Sequence, residues 1–295
     1  MLIPSVTVMN KSKHNYETLY SSLESEEIIL TKNMQINCYG IEPVADAVID
    51  SLLRKNNSAL TEPNPKIIIG ISGSVSVGKS TFTDLLLLSL NRRYPQLNKQ
   101  VVSTDNFIYP TRILKERNLL SQKGFPVSYD YPKLIQFIED FKHGKNNIAY
   151  PLYSHKLYDI SDSPQFLTDC NILMLEGINV LSDSFIPENS PVTANVRDFL
   201  DISLFIEASE NDLFYWYKNR FMSLIEDAKT NPEESAFKKM IHMTQDELNN
   251  LMHSLWKNIN YKNFIQYIQP SMIHADLIVN KARNHSVTSI RRKLP

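Results

Sequence analysis

The sequence predicts an α/β fold in which a mostly parallel sheet is covered by helices on both faces. One observation is that five apolar runs of strand length are spread along the chain and are separated by helical stretches. Buried strands that alternate with helices are typical of parallel sheets. The other observation is that three of the seven glycines in the 295-residue chain occur between residues 70 and 78.

Two of those glycines, Gly73 and Gly78, belong to a complete phosphate-binding loop of the form G-x-x-x-x-G-K-[ST], from Gly73 to Ser80. Gly73 and Gly78 allow the backbone to wrap around phosphates, so that consecutive N–H groups point at the anion from a helix N-terminus. An apolar run at 66–71 precedes the loop and a helical pattern at 81–90 follows it, so the fold is predicted to be of the P-loop NTPase type. The nucleotide-binding residues predicted from this loop are Gly73, Ser74, Val75, Ser76, Val77, Gly78, Lys79, Ser80 and Thr81.

The other four strands are predicted at 99–104, 169–175, 199–206 and 275–279. In a parallel sheet the ligand lies at the carboxyl ends of the strands. Asp105 follows the second strand, which we expect to lie beside the P-loop strand, and Glu176 follows the third. The loop and both carboxylates are therefore predicted to meet at one edge of the sheet.

One domain is expected over residues 1–295. Residues 1–64 are polar and weakly patterned except for apolar spacing at 44–53, which predicts a single amphipathic helix. The Pro-containing turn at 61–65 then leads into the core at 65–295.

Composition excludes several classes of function. A net charge of -1 and a pI of about 6.7 provide no global basic field, so no nucleic-acid partner is expected. The basic cluster formed by Arg283 and residues 291–293 is interpreted as a solvated helix end. Cys38 and Cys170 are far apart in the sequence, which indicates neither a disulfide framework nor a thiolate metal site and fits a reducing cytoplasm.

No membrane association is expected either. The sequence starts without a basic region followed by a long apolar stretch, and its apolar runs are far shorter than the roughly 20 residues that span a bilayer. The seven histidines show no ligand spacing, so the metal expected is one that accompanies nucleotide. A cytoplasmic location is the expectation.

The residues at the sheet edge indicate phosphoryl transfer. Lys79 is placed to reach the β- and γ-phosphates of ATP, and the Ser80 hydroxyl to bind Mg²⁺. Asp105 could accept the proton of an attacking hydroxyl, and Glu176 could hold Mg²⁺ through water; alternatively, each is a solvated carboxylate at a strand end. The GTPase signature N-K-x-D is absent, and the similar residues 280–283 lack its aspartate. A small-molecule kinase is therefore the favoured class.

From about residue 66 to residue 293 the chain resembles the bacterial type I pantothenate kinases, relatives of phosphoribulokinase and uridine kinase. The motifs that carry this resemblance, in order, are GSVSVGKST (73–81), STDNF (103–107), KGFPVSYD (123–130), PLYSHKLYDI (151–160), LEGINVL (175–181), WYKNRF (216–221) and WKNIN (256–260). Several motifs in this order and spacing are specific to that family.

The resemblance implies ATP-dependent phosphorylation of pantothenate with Mg²⁺, the entry step to coenzyme A, in a homodimeric enzyme. Asp105 matches the family's catalytic base, and Lys79 and Arg220 match the cations that neutralise the transferring phosphoryl group. The matched pantothenate-pocket residues are Tyr153, His155, Tyr217 and Asn260, and the matched residues beside the adenine are Lys281 and His285. Without the motif match, Tyr217 would be assigned to the core, Asn260 to a helix cap and His155 to a loop.

Some positions depart from the family pattern. Ala236 and Met240 stand where pocket tyrosines are expected, Met272 replaces an arginine near the fifth strand, and residues 1–64 match poorly. Asp84 stands where the family carries an arginine that pairs with the phosphates of coenzyme A, an inhibitor that competes with ATP. Poor inhibition by coenzyme A is therefore expected.

Two further functions remain open from the sequence. The altered pocket positions suggest the same chemistry on another hydroxyl compound, such as a nucleoside, a sugar or a pantothenate analogue. The other is a nucleotide-binding regulator without turnover, which is disfavoured because Lys79, Asp105, Glu176 and Arg220 are all present.

Overall fold

A seven-stranded sheet forms the centre of the protein in the computed structural model. The structure describes residues 16–21, 28–31, 34–37, 40–183, 194–230, 232 and 235–294. In chain order the strands are β1 (Tyr16–Ser21), β2 (Ile28–Thr31), β3 (Met34–Asn37), β4 (Ile67–Gly73), β5 (Lys99–Ser103), β6 (Ile148–Tyr150), β7 (Tyr153–Ser154), β8 (Asp159–Ile160), β9 (Gln165–Leu167), β10 (Ile172–Glu176), β11 (Ile202–Glu207), β12 (Leu277–Lys281) and β13 (Val287–Lys293). The α-helices are α1 (Ile41–Lys55), α2 (Lys79–Arg93), α3 (Thr111–Glu116), α4 (Tyr131–Lys142), α5 (Glu210–Thr230) and α6 (Gln245–Leu255).

The strand order in this sheet is β1-β13-β12-β11-β4-β10-β5. The strands from β12 to β5 are parallel to one another, whereas β13 is antiparallel to β12 and β1 is antiparallel to β13. The predicted mostly parallel sheet is confirmed. All five predicted strands are present, although β10, β11 and β12 begin two or three residues later than the apolar runs suggested.

The position of β5 differs from the prediction, because β10 lies between β4 and β5. Glu176 is paired in register with Ile71 of β4 on one side and with Ser103 of β5 on the other. The prediction was wrong because strands consecutive in sequence are neighbours only about two-thirds of the time. The consequence is that the Glu176 strand separates the P-loop strand from the Asp105 strand.

Helices cover both faces of the sheet, as predicted. On β4 the side chains of Ile67, Ile69 and Ile71 join a hydrophobic cluster with α1, α2, α5 and α6, and Ile68 joins a second cluster with α3 and α4. This alternation is the expected result of a strand whose successive side chains point to opposite faces. Helix α1 confirms the helix predicted at 44–53.

The two ends of the described chain contribute more to the sheet than the sequence suggested. Residues 291–293, interpreted above as a helix end, belong to β13, and β1 adds an edge strand from the N-terminal segment. Arg292 is 9% exposed, donates to Ser51 Oγ at 3.1 Å and bonds Asp50 Oδ2 at 2.5 Å. Arg291 and Arg292 are paired with Glu207 and Asp50 on distant elements, which the local sequence does not indicate.

The structure describes one of the two cysteines. Cys170 is a buried free thiol whose pKa is raised to about 11 by burial, and Cys38 lies outside the described residues. Among the helices that the structure describes, none is both long and apolar enough to cross a membrane.

Replacing Arg292 with alanine should lower the free energy of unfolding by about 1 to 3 kcal/mol, because buried hydrogen bonds of a charged group are lost. Arg54 is the matched control, since it contacts the same Asp50 but is 65% exposed. Arg54→Ala should change stability by less than about 0.5 kcal/mol. Urea unfolding of the three proteins measures both effects, and equal losses would contradict a structural role for the buried guanidinium.

Candidate active site

The P-loop follows β4 directly and has the backbone geometry that its glycines allow. Gly73 has φ +151° and Gly78 has φ +85°. A Cβ on Gly73 would lie 2.8 Å from the carbonyl oxygen of Ile206, which is too close for any other residue without movement of the backbone. Ser76 also has a positive φ, of 63°. The loop therefore approaches the neighbouring strand closely before it enters α2 at Lys79.

Two hydroxyl groups and one ammonium group line this loop. The buried Oγ atoms of Ser74 and Ser76 have no hydrogen-bond partner within the described part of the chain. Lys79 Nζ donates to the carbonyl oxygens of Gly73 at 3.2 Å and Ser74 at 3.0 Å. Unpaired buried donors in a loop at a helix N-terminus fit a polyphosphate, because an anion would satisfy them.

Glu176 and Ser80 lie together beside the loop. The Ser80 hydroxyl donates to Glu176 Oε1 at 3.0 Å, and Glu176 is 6% exposed. Burial raises the pKa of the Glu176 carboxyl, and the nearby Asp105 raises it further, while Lys79 opposes the shift. Burial also lowers the pKa of the Lys79 ammonium, and here the carboxylates of Glu176 and Asp105 oppose it. A hydroxyl and a carboxylate are oxygen ligands suited to Mg²⁺.

Asp105 lies on a short 3₁₀ turn, Thr104–Phe107, just beyond the end of β5. Its backbone N–H donates to Ser103 Oγ at 3.3 Å, and its Oδ1 accepts a hydrogen bond from Tyr129 at 3.2 Å. Tyr129 was not among the predicted site residues. It occurs in the motif at 123–130, but the sequence gives no sign that this tyrosine reaches back to Asp105.

Gly177 allows the chain after Glu176 to pass close to the Asp105 turn. The Thr104 hydroxyl donates to Asn179 Oδ1 across this contact. A Cβ on Gly177 would lie 1.8 Å from Thr104 Oγ1, so a larger residue would displace the turn. The two carboxylates are thus held on chain segments that contact each other directly.

An aromatic hairpin, formed by β7 and β8, lies beside Asp105. The backbone N–H of Tyr153 donates to Asn106 Oδ1 at 2.8 Å, and the Tyr153 ring centroid lies 5.3 Å from that of His155 and 6.1 Å from that of Tyr158. Burial and the positive charge of Arg220 lower the pKa of His155, which therefore favours its neutral form. The structure brings both predicted residues, Tyr153 and His155, to the Asp105 side of the site.

Lys123 is a second residue that the sequence did not identify. Its side chain is 8% exposed, and Nζ lies 4.3 Å from the Tyr158 ring centroid and 5.2 Å from that of Tyr153. It donates to the Tyr158 carbonyl oxygen and to Thr111 Oγ1. Burial lowers the pKa of this lysine, and the charges of Asp159 and Asp105 oppose the shift.

Arg220 is exposed on α5, and its positive charge acts on residues of both the P-loop and the aromatic hairpin. It lowers the pKa values of Lys79 and His155, in each case as a smaller effect than burial. The predicted residue Arg220 is therefore close enough to both Lys79 and His155 for its charge to act on them.

Tyr217 and Asn260 are also brought together. Tyr217 is 9% exposed, its ring packs on Trp256, and its hydroxyl is hydrogen-bonded to Asn260. Burial raises the pKa of Tyr217 to about 12. Asn260 lies in a π-helical segment, Trp256–Tyr261, rather than at a helix cap.

The three positions that depart from the family pattern, Ala236, Met240 and Met272, lie in different parts of the structure. The backbone N–H of Ala236 donates to the Lys156 carbonyl at 3.2 Å, and the Phe237 ring lies 6.2 Å from the Tyr158 ring, so this segment borders the aromatic hairpin. Met240 packs against the cluster that contains α5. Met272 precedes β12, at the amino edge of the parallel strands, which is opposite the P-loop edge. The missing arginine at Met272 was therefore wrongly counted among the pocket changes.

Residues 281–285 form a C-terminal strap that contacts the P-loop through Lys281. Lys281 is 8% exposed, and its Nζ donates to the Val77 carbonyl at 2.9 Å. The His285 ring stacks on Trp216 with centroids 4.5 Å apart and an interplanar angle of 19°. The structure thus places Lys281 against the loop and His285 against Trp216 of α5. A metal-binding cluster of three or more His, Cys, Asp or Glu side chains does not occur among the residues described.

Comparisons with known proteins find similarity in both sequence and fold. Residues 68–223 match the model of the phosphoribulokinase / uridine kinase family. Over 271 residues the chain is 38% identical to the pantothenate kinases of Cronobacter sakazakii and Escherichia coli, covering 91% of this chain and 84% of each relative. D-glycerate 3-kinase from Cryptococcus neoformans superimposes with a TM-score of 0.59 at 14% identity, covering 85% of this chain and 98% of that one, and so shares the fold.

His285 should titrate far below an ordinary histidine. Burial against Trp216 and the charge of Lys281 lower its pKa from 6.5 to about 4. Between these two values the unfolded chain binds a proton that the folded protein does not, so this residue makes stability fall as the pH falls through that window. NMR titration of the imidazole should give the low pKa, and Lys281→Met should raise it. A titration near 6.5 in the unmodified protein would contradict the packing described.

Proposed function

The chain belongs to the phosphoribulokinase / uridine kinase family and, within it, to the pantothenate kinases, and from this premise we propose that it transfers the γ-phosphate of ATP to the primary hydroxyl of pantothenate. As a kinase of this family it is a phosphotransferase that uses ATP and a small hydroxyl compound. The single observation that carries the choice of acceptor is the 38% identity to pantothenate kinases over 91% of the chain. The retained aromatic hairpin beside Asp105 supports it.

In this proposal three residues act on the reacting groups. Asp105 accepts the proton of the acceptor hydroxyl, for which a carboxylate at the edge of the site is suited. Lys79 and Arg220 neutralise charge on the transferring phosphoryl group. In the present geometry Lys79 donates to two loop carbonyls, so the ammonium must exchange at least one of these bonds for a phosphate oxygen.

The nucleotide is held by the P-loop, with Ser74 and Ser76 giving their unpaired hydroxyls to phosphate oxygens. We propose Ser80 and Glu176 as the residues that hold Mg²⁺, which would supply charge neutralisation for the phosphates. Lys281 and His285 are proposed to lie beside the adenine. The contact of Lys281 Nζ with the Val77 carbonyl supports this, because it keeps the strap against the loop.

The acceptor is proposed to bind between the aromatic hairpin and α5. Tyr153, His155, Tyr217 and Asn260 supply hydrogen bonds to its polar groups. Lys123 fixes the hairpin by its contacts with Tyr158. A neutral His155 and protonated tyrosines suit a pocket that reads hydroxyl and amide groups by hydrogen bonds.

The proposal extends to the domain organisation, the oligomeric state and the location of the protein. We propose one catalytic domain with its core at 65–295, a homodimer, and a location in the cytoplasm. The sequence relatives support the first of these, since they match 91% of the chain.

A second candidate function is the same transfer to a different hydroxyl compound. The observation that favours it is the exposed Ala236 beside the aromatic hairpin, where the resemblance implies a tyrosine. A pocket without that hydroxyl recognises fewer polar groups, which lowers discrimination between acceptors.

ATP consumption with a panel of acceptors tests the proposal. Pantothenate should be phosphorylated, and uridine and ribulose 5-phosphate should not. Lys79→Ala should lower turnover by orders of magnitude, since charge on the phosphoryl group is no longer neutralised. Asp105→Asn should retain ATP binding while product nearly disappears. Lys133→Ala, which removes an exposed lysine of α4, is the matched control and should leave turnover unchanged.

Two results would reject parts of this proposal. Turnover of another acceptor without activity on pantothenate would select the second candidate function. Turnover that survives Lys79→Ala would contradict the assignment of the P-loop itself.

Inhibition by coenzyme A should be weaker than in relatives with an arginine at the position of Asp84. Asp84 lies in the second turn of α2, where a carboxylate repels a bound polyphosphate instead of pairing with it. Coenzyme A should therefore inhibit poorly, and Asp84→Arg should lower its inhibition constant by about tenfold or more. Inhibition assays against ATP measure this, with Asp84→Asn as the control for loss of the negative charge alone. Strong competitive inhibition of the unmodified protein would contradict the expectation.

A further inference from the structure

Tyr129 is a buried tyrosine whose hydroxyl reaches Asp105. Its side chain is 2% exposed, and its OH donates to Asp105 Oδ1 at 3.2 Å. A hydrogen bond to a charged acceptor is stronger than one between neutral groups, and burial of the donor limits competition from water. The contact therefore constrains the side-chain rotamer of the proposed base.

The backbone holds Tyr129 in place from both sides. The N–H of Tyr109 donates to the Ser128 carbonyl at 2.9 Å, and the N–H of Asp130 donates to the Phe107 carbonyl at 2.7 Å. These two bonds form an antiparallel bridge between Ile108 and Tyr129. The tyrosine is thus anchored to the same turn that carries the carboxylate it contacts.

Helix α4 fixes the other end of this segment. Asp130, the next residue, is the N-cap of α4, and its side chain accepts a hydrogen bond from the N–H of Lys133 at 3.3 Å. The helix packs its apolar face into the second hydrophobic cluster, which also contains Tyr129. Since Tyr129 lies between a backbone bridge and a capped helix, its hydroxyl has little freedom to leave Asp105.

We propose that Tyr129 is a positioning residue for phosphoryl transfer, which holds the Asp105 carboxylate through Oδ1 so that Oδ2 accepts the proton of the acceptor hydroxyl. This inference rests on the proposed function, in which Asp105 is the base. The acceptor oxygen forms a bond to the γ-phosphorus, the bond from that phosphorus to the leaving ADP oxygen breaks, and the acceptor proton goes to Oδ2. Tyr129 keeps its own proton throughout.

The electrostatic surroundings agree with a donor that does not ionise. Burial, and secondly the negative charge of Asp105, raise the pKa of the Tyr129 phenol well above its usual value. The other titratable or charged groups around Asp105 are Lys79, Lys123, Tyr153, His155, Tyr158, Glu176 and Arg220. Each of these side chains is still present when only the Tyr129 hydroxyl is removed.

Tyr129→Phe removes that hydroxyl and retains the ring. Tyr131→Phe is the matched control, because Tyr131 is 1% exposed, lies two residues away and bonds the Ala194 carbonyl and the Val196 N–H instead. With ATP and pantothenate as substrates, Tyr129→Phe should lower kcat by about tenfold, the loss expected for one hydrogen bond to a charged group. The KM for ATP should be unchanged, and Tyr131→Phe should retain full kcat.

A second measurement does not depend on turnover. Crystal structures of the unmodified protein and of Tyr129→Phe should show the Asp105 side chain in a single rotamer in the first and displaced, or in more than one rotamer, in the second. The change follows because the hydrogen bond from Tyr129 to Asp105 Oδ1 is lost. Tyr131→Phe should leave the Asp105 rotamer as it is in the unmodified protein.

The kcat values and the second measurement together distinguish failure of the proposed function from failure of the positioning role. If the unmodified protein does not phosphorylate pantothenate, the proposed function fails, and the Asp105 rotamer in the crystal structures still decides the role of Tyr129. If Tyr129→Phe leaves that rotamer unchanged, the positioning role is overturned whatever the acceptor. An equal fall of kcat in Tyr129→Phe and Tyr131→Phe would also overturn it, because the effect would then come from general loss of packing.

Discussion

The register of three parallel strands is the constraint on which the site depends. Ile71, Glu176 and Ser103 are paired side by side on β4, β10 and β5. Adjacent strands lie about 4.8 Å apart, so the loop after β4 and the turn after β5 begin within roughly 10 Å of each other. With β10 between them, Glu176 accepts a hydrogen bond from Ser80 beside the P-loop, and the charge of Asp105 contributes to its raised pKa. A slip of one residue in β10 would turn this carboxylate to the other face of the sheet.

Burial dominates the electrostatics at that edge. Burial raises the pKa of Glu176 and lowers that of Lys79, although each charge on its own would shift the other in the opposite direction. Both ionised forms are therefore destabilised by desolvation and need partners. A polyphosphate adds acceptors for Lys79 and for the unpaired hydroxyls of Ser74 and Ser76. The same burial that destabilises these charges makes their contacts with a bound nucleotide stronger.

The parts of the fold that sequence reasoning could predict have local signals. The P-loop follows from glycine spacing, and the five parallel strands follow from apolar runs. The strand β13 was missed because Arg292 is stabilised by Asp50, which lies 242 positions away in the sequence. Tyr129 was missed for the same reason, since the bridge that aims it at Asp105 is a tertiary contact. The order of β4, β10 and β5 also depends on long-range pairing, which no local pattern specifies.

The two halves of the site depend on different parts of the core. Val77 of the P-loop and Trp216 under the C-terminal strap belong to the hydrophobic cluster on one face of the sheet. Tyr129 belongs to the cluster on the other face, and Tyr153 packs against it, whereas Tyr217 belongs to the first cluster. The proposed acceptor pocket therefore depends on both layers packed on the sheet. Phe107, on the turn that carries Asp105, also belongs to the second cluster. Loosening of that cluster is therefore expected to displace Asp105 and the aromatic hairpin more than Val77 and Trp216.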